Sequence, residues 1–321
     1  MKKLLAIGEA LVDFIPFHDE IKVGESPIYE AITGGAPVNV CCAYAKLGGC
    51  ASLVTQVGED HFGDMIFKDL ASFNVDTQYV SRTSKANTCL AFVALDDQGE
   101  RSFTFYRGPS ADMLLDPKYI QPEQFEDVHI LHFCSVSLGD YPMGYAHERA
   151  IKFAKQKKTL ISFDPNIRLN LWDDEEALRK IIWEYIPYTD ILKLSSDELT
   201  FITGEYDITE ALPRFFRSGV KIILYTKGEK GAEVYTKNTF AISEGLKVDA
   251  IDTTGAGDAF AGAFLFQLSC NDVTTENLSN LSRDELGEML EFSNRYSAFS
   301  VQSSGATASY PTLDQMSGFL A

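Results

Sequence analysis

Asp252-Thr253-Thr254-Gly255-Ala256-Gly257-Asp258-Ala259-Phe260-Ala261-Gly262 lies between a short alternating segment, 246–251, and a strongly apolar run, 259–268. That order reads as a strand or loop, a Gly-rich turn and a helix N-terminus. Small residues in the turn let a ligand approach the backbone, and the first N–H groups of a helix lack intrahelical acceptors. Those donors and the positive end of the helix dipole favour an anion, most often a phosphate. Asp258 stands at the same end. Beside a phosphate a carboxylate repels unless it has a task, and the task that fits is general base for a hydroxyl attacking phosphorus. Taken alone, an Asp in a first helical turn is more often a cap or dipole partner, contributing about 0.3–1 kcal/mol. The run that follows is apolar on nearly every face and therefore buried. A buried helix starting at a Gly turn points to a site rather than to a surface cap.

The whole chain bounds the answer. Its 321 residues, 45% hydrophobic and 23% charged, suit either two domains or one large α/β domain. A net charge of −18 argues against a nucleic-acid surface or an anionic membrane as partner. An acidic enzyme that takes a polyanion must create positive potential locally, from helix ends, a few basic side chains and a metal ion. The six cysteines (41, 42, 50, 89, 134 and 270) show no C-x-x-C pair and read as buried thiols in a reducing cytoplasm. The apolar residues after Met1-Lys-Lys are too few for a signal peptide, and no run approaches a membrane span. A cytoplasmic location is the expectation.

A second Gly turn lies near the start. Thr33-Gly34-Gly35-Ala36-Pro37-Val38-Asn39 leads into an apolar run, 40–47, closed by Gly48-Gly49. Pro37 suits a first helical turn and the closing glycines a C-cap. Asn39 is then the polar residue of that first turn, a cap or a ligand contact. Residues 4–8 read as a buried strand. Asp13, within the apolar stretch 10–17, is either a turn or edge-strand Asp or a carboxylate facing a ligand at a strand's C-terminal end. Residues 52–58 read as a strand and 60–73 as an amphipathic helix. The segments 89–95 and 101–107 alternate around Asp96-Asp97-Gln98-Gly99, a hairpin signature. Phe103, Phe105 and Arg107 share one face of its second arm, as core packing or as a lid.

Short apolar strands at 130–133, 159–163, 190–194 and 221–226, separated by helical stretches, argue for parallel βαβ units. Asp164-Pro165-Asn166-x-Arg168 follows one of them, a solvated loop or an Arg clamp for a phosphate or sugar hydroxyl. Ser195-Ser196-Asp197-Glu198 opens a further helix, where acidic residues complement the dipole. Thr226-Lys227-Gly228-Glu229-Lys230-Gly231 is a Gly turn between 222–225 and 232–236. Residues 285–302 read as a helix carrying Asn294, followed by Ser303-Ser304-Gly305-Ala306-Thr307-Ala308-Ser309.

These motifs together resemble the ribokinase-like (PfkB) carbohydrate kinases: residues 252–258 look like that family's second signature and 34–48 like its first. The resemblance is strongest at 34–48, 103–112, 164–172 and 252–264, and Phe105-Tyr-Arg-x-x-Ser-Ala-Asp112 looks particularly like the fructokinase members. It implies a three-layer α/β/α fold with a central, mostly parallel sheet, formed as a single domain over 1–321 with a small β lid from roughly 12–32 and 86–110. It implies ATP-dependent phosphorylation of a sugar, most like fructose at its 6-hydroxyl. Ketodeoxygluconate kinase, ribokinase or nucleoside-type kinases stand as alternatives, and a non-catalytic sugar- or nucleotide-binding protein as the alternative of another class. By resemblance Asp258 is the base, and the Gly255, Ala256 and Gly257 amides form the anion hole. Asp13, Gly34, Gly35, Asn39 and Arg168 then hold the sugar, with Phe105 and Arg107 from the lid. Lys193, Glu198, Thr226, Gly228, Gly231 and Asn294 fall on the ATP side.

Glu198 matches the Glu of the family's Asn-x-x-Glu, which orders Mg²⁺ through water, although Ser195 replaces the Asn. Asp252, Thr254, Ser303, Gly305 and Ser309 match a K⁺ cradle, and exposed lid strands suggest a homodimer. The chain has no G-x-x-x-x-G-K-[ST], which excludes a P-loop, and Gly255-x-Gly257 meets Phe260 where a Rossmann fingerprint needs Gly or Ala.

Overall fold

The computed structural model describes residues 2–16, 28–95 and 101–319. The strands are β1 (Lys3–Ile7), β2 (Leu11–Pro16), β3 (Tyr29–Gly34), β4 (Cys50–Gly58), β5 (Val75–Asp76), β6 (Val80–Thr83), β7 (Cys89–Leu95), β8 (Arg101–Tyr106), β9 (Val128–Cys134), β10 (Leu160–Asp164), β11 (Ile191–Ser195), β12 (Ile222–Thr226), β13 (Ala232–Tyr235) and β14 (Phe240–Ser243). The α-helices are α1 (Ala36–Lys46), α2 (His61–Ser72), α3 (Pro142–Gln156), α4 (Glu175–Tyr185), α5 (Ser196–Thr203), α6 (Ile208–Arg217), α7 (Ala256–Cys270), α8 (Arg283–Ser300) and α9 (Leu313–Phe319).

The large sheet runs β14-β13-β12-β11-β10-β9-β1-β4-β5, with β6 also pairing to β4. It is parallel from β12 to β5 and antiparallel only at the β13–β14 end. Alternation along each strand divides two cores. Leu4, Ala6, Ile130, Leu160, Ile191 and Ile222 face α1, α2, α7 and α8, whereas Leu5, Ile7, Leu131, Phe133, Ile161 and Leu192 face α3 to α6. A sheet buried on both faces requires near-continuous apolar strands, which is how these segments read. The result is a ribokinase-like α/β sandwich. β1 lies between β4 and β9, so its two neighbours belong to connections leaving in opposite directions, and the crevice beyond its C-terminal end is where such sheets bind ligands.

A second, four-stranded sheet, β3-β2-β7-β8, stands over that crevice. Its strands begin at Leu11 and end at Tyr106, close to the expected lid segments. β7 and β8 pair antiparallel as a hairpin, with Leu90 opposite Tyr106; the turn at 96–99 lies outside the described residues. Two readings hold and a third, that all six cysteines are buried, needs correction. Both key helices begin as expected, at Ala36 and Ala256, with Pro37 in the first turn of one and Asp258 in the first turn of the other. Of the two readings of residues 246–251, strand or loop, the loop is the one formed: the sheet ends at β14, and Ile251 and Asp252 donate to the Val301 carbonyl at 2.8 and 3.1 Å. Four cysteines are buried, but Cys50 and Cys270 are exposed, since each lies at the end of an element.

Candidate active site

The site is built where two helices begin. Gly255 caps α7 with φ of 73°, a left-handed conformation that glycine adopts without penalty. A side chain there is also blocked, as a Cβ would sit 2.4 Å from the Tyr310 hydroxyl, which donates to the Gly255 carbonyl at 2.8 Å. The N–H groups of Gly255, Gly257 and Asp258 donate to no protein acceptor among the described residues. Ala256 departs from the expected anion hole: its N–H is taken up by the Thr253 carbonyl at 3.2 Å, which closes the turn, and the Asp258 amide stands open in its place.

Asp258 projects from this first turn and accepts a hydrogen bond from Asn39 Nδ2 at 2.8 Å. Asn39 occupies the matching turn of α1, and the two helices come close enough that a Cβ on Gly262 would lie 2.6 Å from that of Ala43. Asp258 is partly open to the cleft, yet the surrounding protein still weakens its hydration. Burial first, and the nearby Asp164 carboxylate second, push its carboxyl up to about 7, against the opposing pull of Asn39, Lys193 and Arg168. A carboxylate tuned to that range is suited to accepting a proton near neutrality.

Around Asp258 the cleft has two lobes. The inner lobe is lined by Glu9, Asp13, Gly35, Asn39, Phe105 and Arg168, among others. Asn39 Oδ1 is buried there with no partner among the described residues, an acceptor that a ligand hydroxyl would satisfy. Gly34 makes room for Asp13, whose Oδ2 would lie 2.1 Å from a Cβ at that position; Gly35, at φ of 109°, brings the backbone against the Glu9 carbonyl. The outer lobe, about 720 Å³, is lined by Phe103, Asn166, Arg168, Lys193 and residues 253–258, a volume typical of small-molecule sites. Arg168 belongs to both lobes, with its guanidinium over the Phe103 ring at 5.7 Å. Lys193 Nζ lies 2.6 Å from Asp164 Oδ2. Burial opposes its charge, but Asp164 outweighs that and holds Lys193 protonated above the usual lysine range. A Cβ on Gly257 would come within 3.2 Å of this ammonium, so the glycine lets a cation lie against the row of amides.

Arg107 is a correction. Its side chain turns away from the inner lobe to a buried partner, Asp112, and is 6% exposed. Glu198 is committed to structure on both oxygens, accepting from Ile167 N at 3.1 Å and Ser195 N at 2.7 Å, which caps α5 and pins the loop carrying Arg168. Thr226 ends β12, and Gly228 and Gly231 form the turn after it. Gly231 is required there, because a Cβ would meet the Ser243 carbonyl at 2.2 Å. Asn294 is buried in α8 and donates to the Ser243 carbonyl. Asp252 accepts from Thr254 N, Ser304 Oγ and Gly305 N, while Thr254 Oγ1 beside it is buried without a partner among the described residues and Ser309 Oγ turns to the Ala306 carbonyl. Among the described residues no cluster of three or more His, Cys, Asp or Glu side chains is arranged to hold a metal.

Glu9 and Asp164 escaped the sequence reading as site residues. Each follows or ends an apolar strand, β1 and β10, and a carboxylate at the C-terminal end of a buried parallel strand was the available signal.

The model of the pfkB family carbohydrate kinases matches residues 1–313. The chain is 39% identical to the Arabidopsis thaliana protein named Probable fructokinase-2, over 99% of this chain and 95% of that protein. Among solved structures, the fructokinase of Xylella fastidiosa with bound ATP superposes with a TM-score of 0.91 at 31% identity, covering 99% of this chain and 98% of that one. The fructokinase of Vibrio cholerae O395 with fructose, ADP and calcium superposes with a TM-score of 0.89 at 33% identity, covering 100% and 99%.

Proposed function

Since this chain belongs to the pfkB family of carbohydrate kinases, we propose that it transfers the γ-phosphoryl group of ATP to the 6-hydroxyl of D-fructose. The observation that carries the reading is that one carboxylate, Asp258, faces both the inner lobe and the open amides at the start of α7. The likeness to fructokinases over the full chain favours fructose among sugars.

In this reading the inner lobe takes the sugar. Asp13 and Asn39 Oδ1 bind hydroxyls, Arg168 donates to an oxygen near the reacting end, and Phe103 and Phe105 cover the ring. Asp258 removes the proton of the primary hydroxyl as that oxygen bonds to the γ-phosphorus. The bond from phosphorus to the bridging oxygen of ATP breaks, and ADP leaves with the electron pair. The amides of Gly255, Gly257 and Asp258, with the Lys193 ammonium, stabilise the charge that accumulates on the transferring group. The proton on Asp258 passes to solvent when the products leave. Thr226, Gly228, Gly231 and Asn294 lie on the nucleotide side.

A Mg²⁺ ion carried with the phosphates would neutralise part of their charge, and Glu198, whose oxygens already hold the Ile167 and Ser195 amides, would act on it only through water. The unpartnered Thr254 hydroxyl beside the Asp252 carboxylate suits a monovalent cation such as K⁺. The test is an ADP-release assay over fructose, ribose, ketodeoxygluconate and adenosine. Fructose is expected to give the highest kcat/KM; no turnover with any of them overturns the kinase reading, and a different best substrate overturns the sugar.

A further inference from the structure

Arg107 lies just beyond β8, at the root of the small sheet, and the direction of its guanidinium sets it a different task from touching sugar. Nε and Nη2 both donate to Asp112 Oδ2, at 3.0 and 2.7 Å. Nη1 donates to the Val136 carbonyl at 2.9 Å, and Nη2 lies 3.3 Å from Ser137 Oγ. The Ser137 hydroxyl in turn donates to Glu9 Oε2 at 2.9 Å, and Glu9 Oε1 accepts from the Ala36 amide at 3.2 Å. Ala36 opens α1, directly after Gly35 and three residues before Asn39, both of which line the inner lobe. The path crosses the crevice between the ends of β1, which leads to Glu9, and β9, which leads to Val136 and Ser137.

We infer that Arg107 is a positioning residue for the sugar: braced on Asp112, it ties the root of the small sheet through Ser137 and Glu9 to the N-terminus of α1, and so sets Gly35 and Asn39 at the separation from that sheet that a bound sugar requires. The inference rests on the sugar-kinase reading. Apolar packing at this place would hold the two parts together without fixing their orientation. A planar fork with several donors fixes direction as well as distance, and a lysine does not reproduce it. The arrangement keeps two carboxylates and one guanidinium out of water, and Glu9 is held between opposing influences: burial raises its carboxyl and Arg107 lowers it. Such groups are retained against their desolvation only where hydrogen bonds satisfy them, as they do here.

Ser137→Ala removes one hydroxyl while Arg107 keeps Asp112 and Val136, and Glu9 keeps Ala36 and the Cys134 thiol. Its KM for fructose is expected to rise about fivefold to tenfold, with KM for ATP within about twofold and the melting temperature near that of the unaltered protein. Arg107→Lys is expected to raise the sugar KM by at least about tenfold in the same selective way. A loss of stability with both KM values unchanged, or an equal rise in both, overturns the inference and leaves the network a purely structural brace. Should Arg107→Lys fail to fold, Ser137→Ala decides alone. Turnover by the unaltered chain tests the kinase reading separately. Amide exchange at Ala36, Val38 and Asn39 without any substrate then tests the tie itself: Ser137→Ala is expected to exchange about tenfold faster there, and an unchanged rate overturns it.

Discussion

At Asp258 two effects meet, a hydrogen bond that orients the carboxylate and an environment that raises its proton affinity. Asp258→Asn keeps the bond from Asn39 through its own carbonyl oxygen but cannot take a proton. It is expected to lower kcat by about 10²–10⁴-fold with little change in sugar affinity, measured by steady-state kinetics and sugar titration. A near-normal kcat removes Asp258 from the role of base. The raised carboxyl also predicts a pH dependence. Only the ionised form accepts a proton, so kcat/KM is expected to fall about tenfold per pH unit below about 7. Stability runs the other way. The folded form holds this proton more tightly than the unfolded chain, so the contribution is fully present below the ordinary carboxylate range and is lost as pH rises through about 7. A pH–rate profile alongside thermal melts of the unaltered protein and Asp258→Asn checks both signs. At this scale Asp258, Asn39 and Gly255 were legible because each sits inside a short contiguous motif. The direction of Arg107 was not, since it is decided by Asp112 on one side and by the ends of β1 and β9 on the other, segments brought together only by the fold.

Among elements, the crossing of α1 and α7 governs the site, because both helices begin there and Gly262 lets them touch. A larger residue at Gly262 meets the Ala43 Cβ at 2.6 Å and the Val40 carbonyl at 3.0 Å, and backbone cannot yield as a flexible side chain does. Gly262→Val is expected to cost about 1–3 kcal/mol in urea denaturation. It is also expected to lower kcat about tenfold or more by displacing Asn39 from Asp258. Destabilisation with an unchanged kcat would uncouple the crossing from the chemistry. Both helices were legible as all-round apolar runs, whereas their mutual contact was not: nothing local in either run says that they meet. The segment 246–251 shows the converse. Its alternation imitates a strand, but a strand needs a neighbour with free hydrogen-bonding groups, and the Val301 carbonyl at the end of α8 takes its last two amides instead.

Across the whole molecule, the two sheets form the walls of one cleft, and a ligand that touches both adds its binding energy to the cohesion between them. Fructose with a non-hydrolysable ATP analogue, each at about 100 times its Kd, is expected to contribute about 2.7 kcal/mol apiece and to raise the melting temperature by about 5 °C per ligand. Scanning calorimetry with each ligand alone and with both measures it, and no shift with fructose argues against sugar binding in the inner lobe. The large sheet was legible from the spacing of its apolar strands, and the small one from two arms of alternating residues. How one stands over the other depends on the Glu9 and Arg107 connections, which no periodicity reports.

The hydrogen bond between Asn39 and Asp258 joins positions 219 residues apart. A polypeptide emerging from the ribosome therefore carries Asp13, Gly35 and Asn39 long before Asp258 exists. Until the last third of the chain has been made and docked, the nascent protein is chemically silent toward nucleotide, and the competence to consume ATP arrives only with a completed fold.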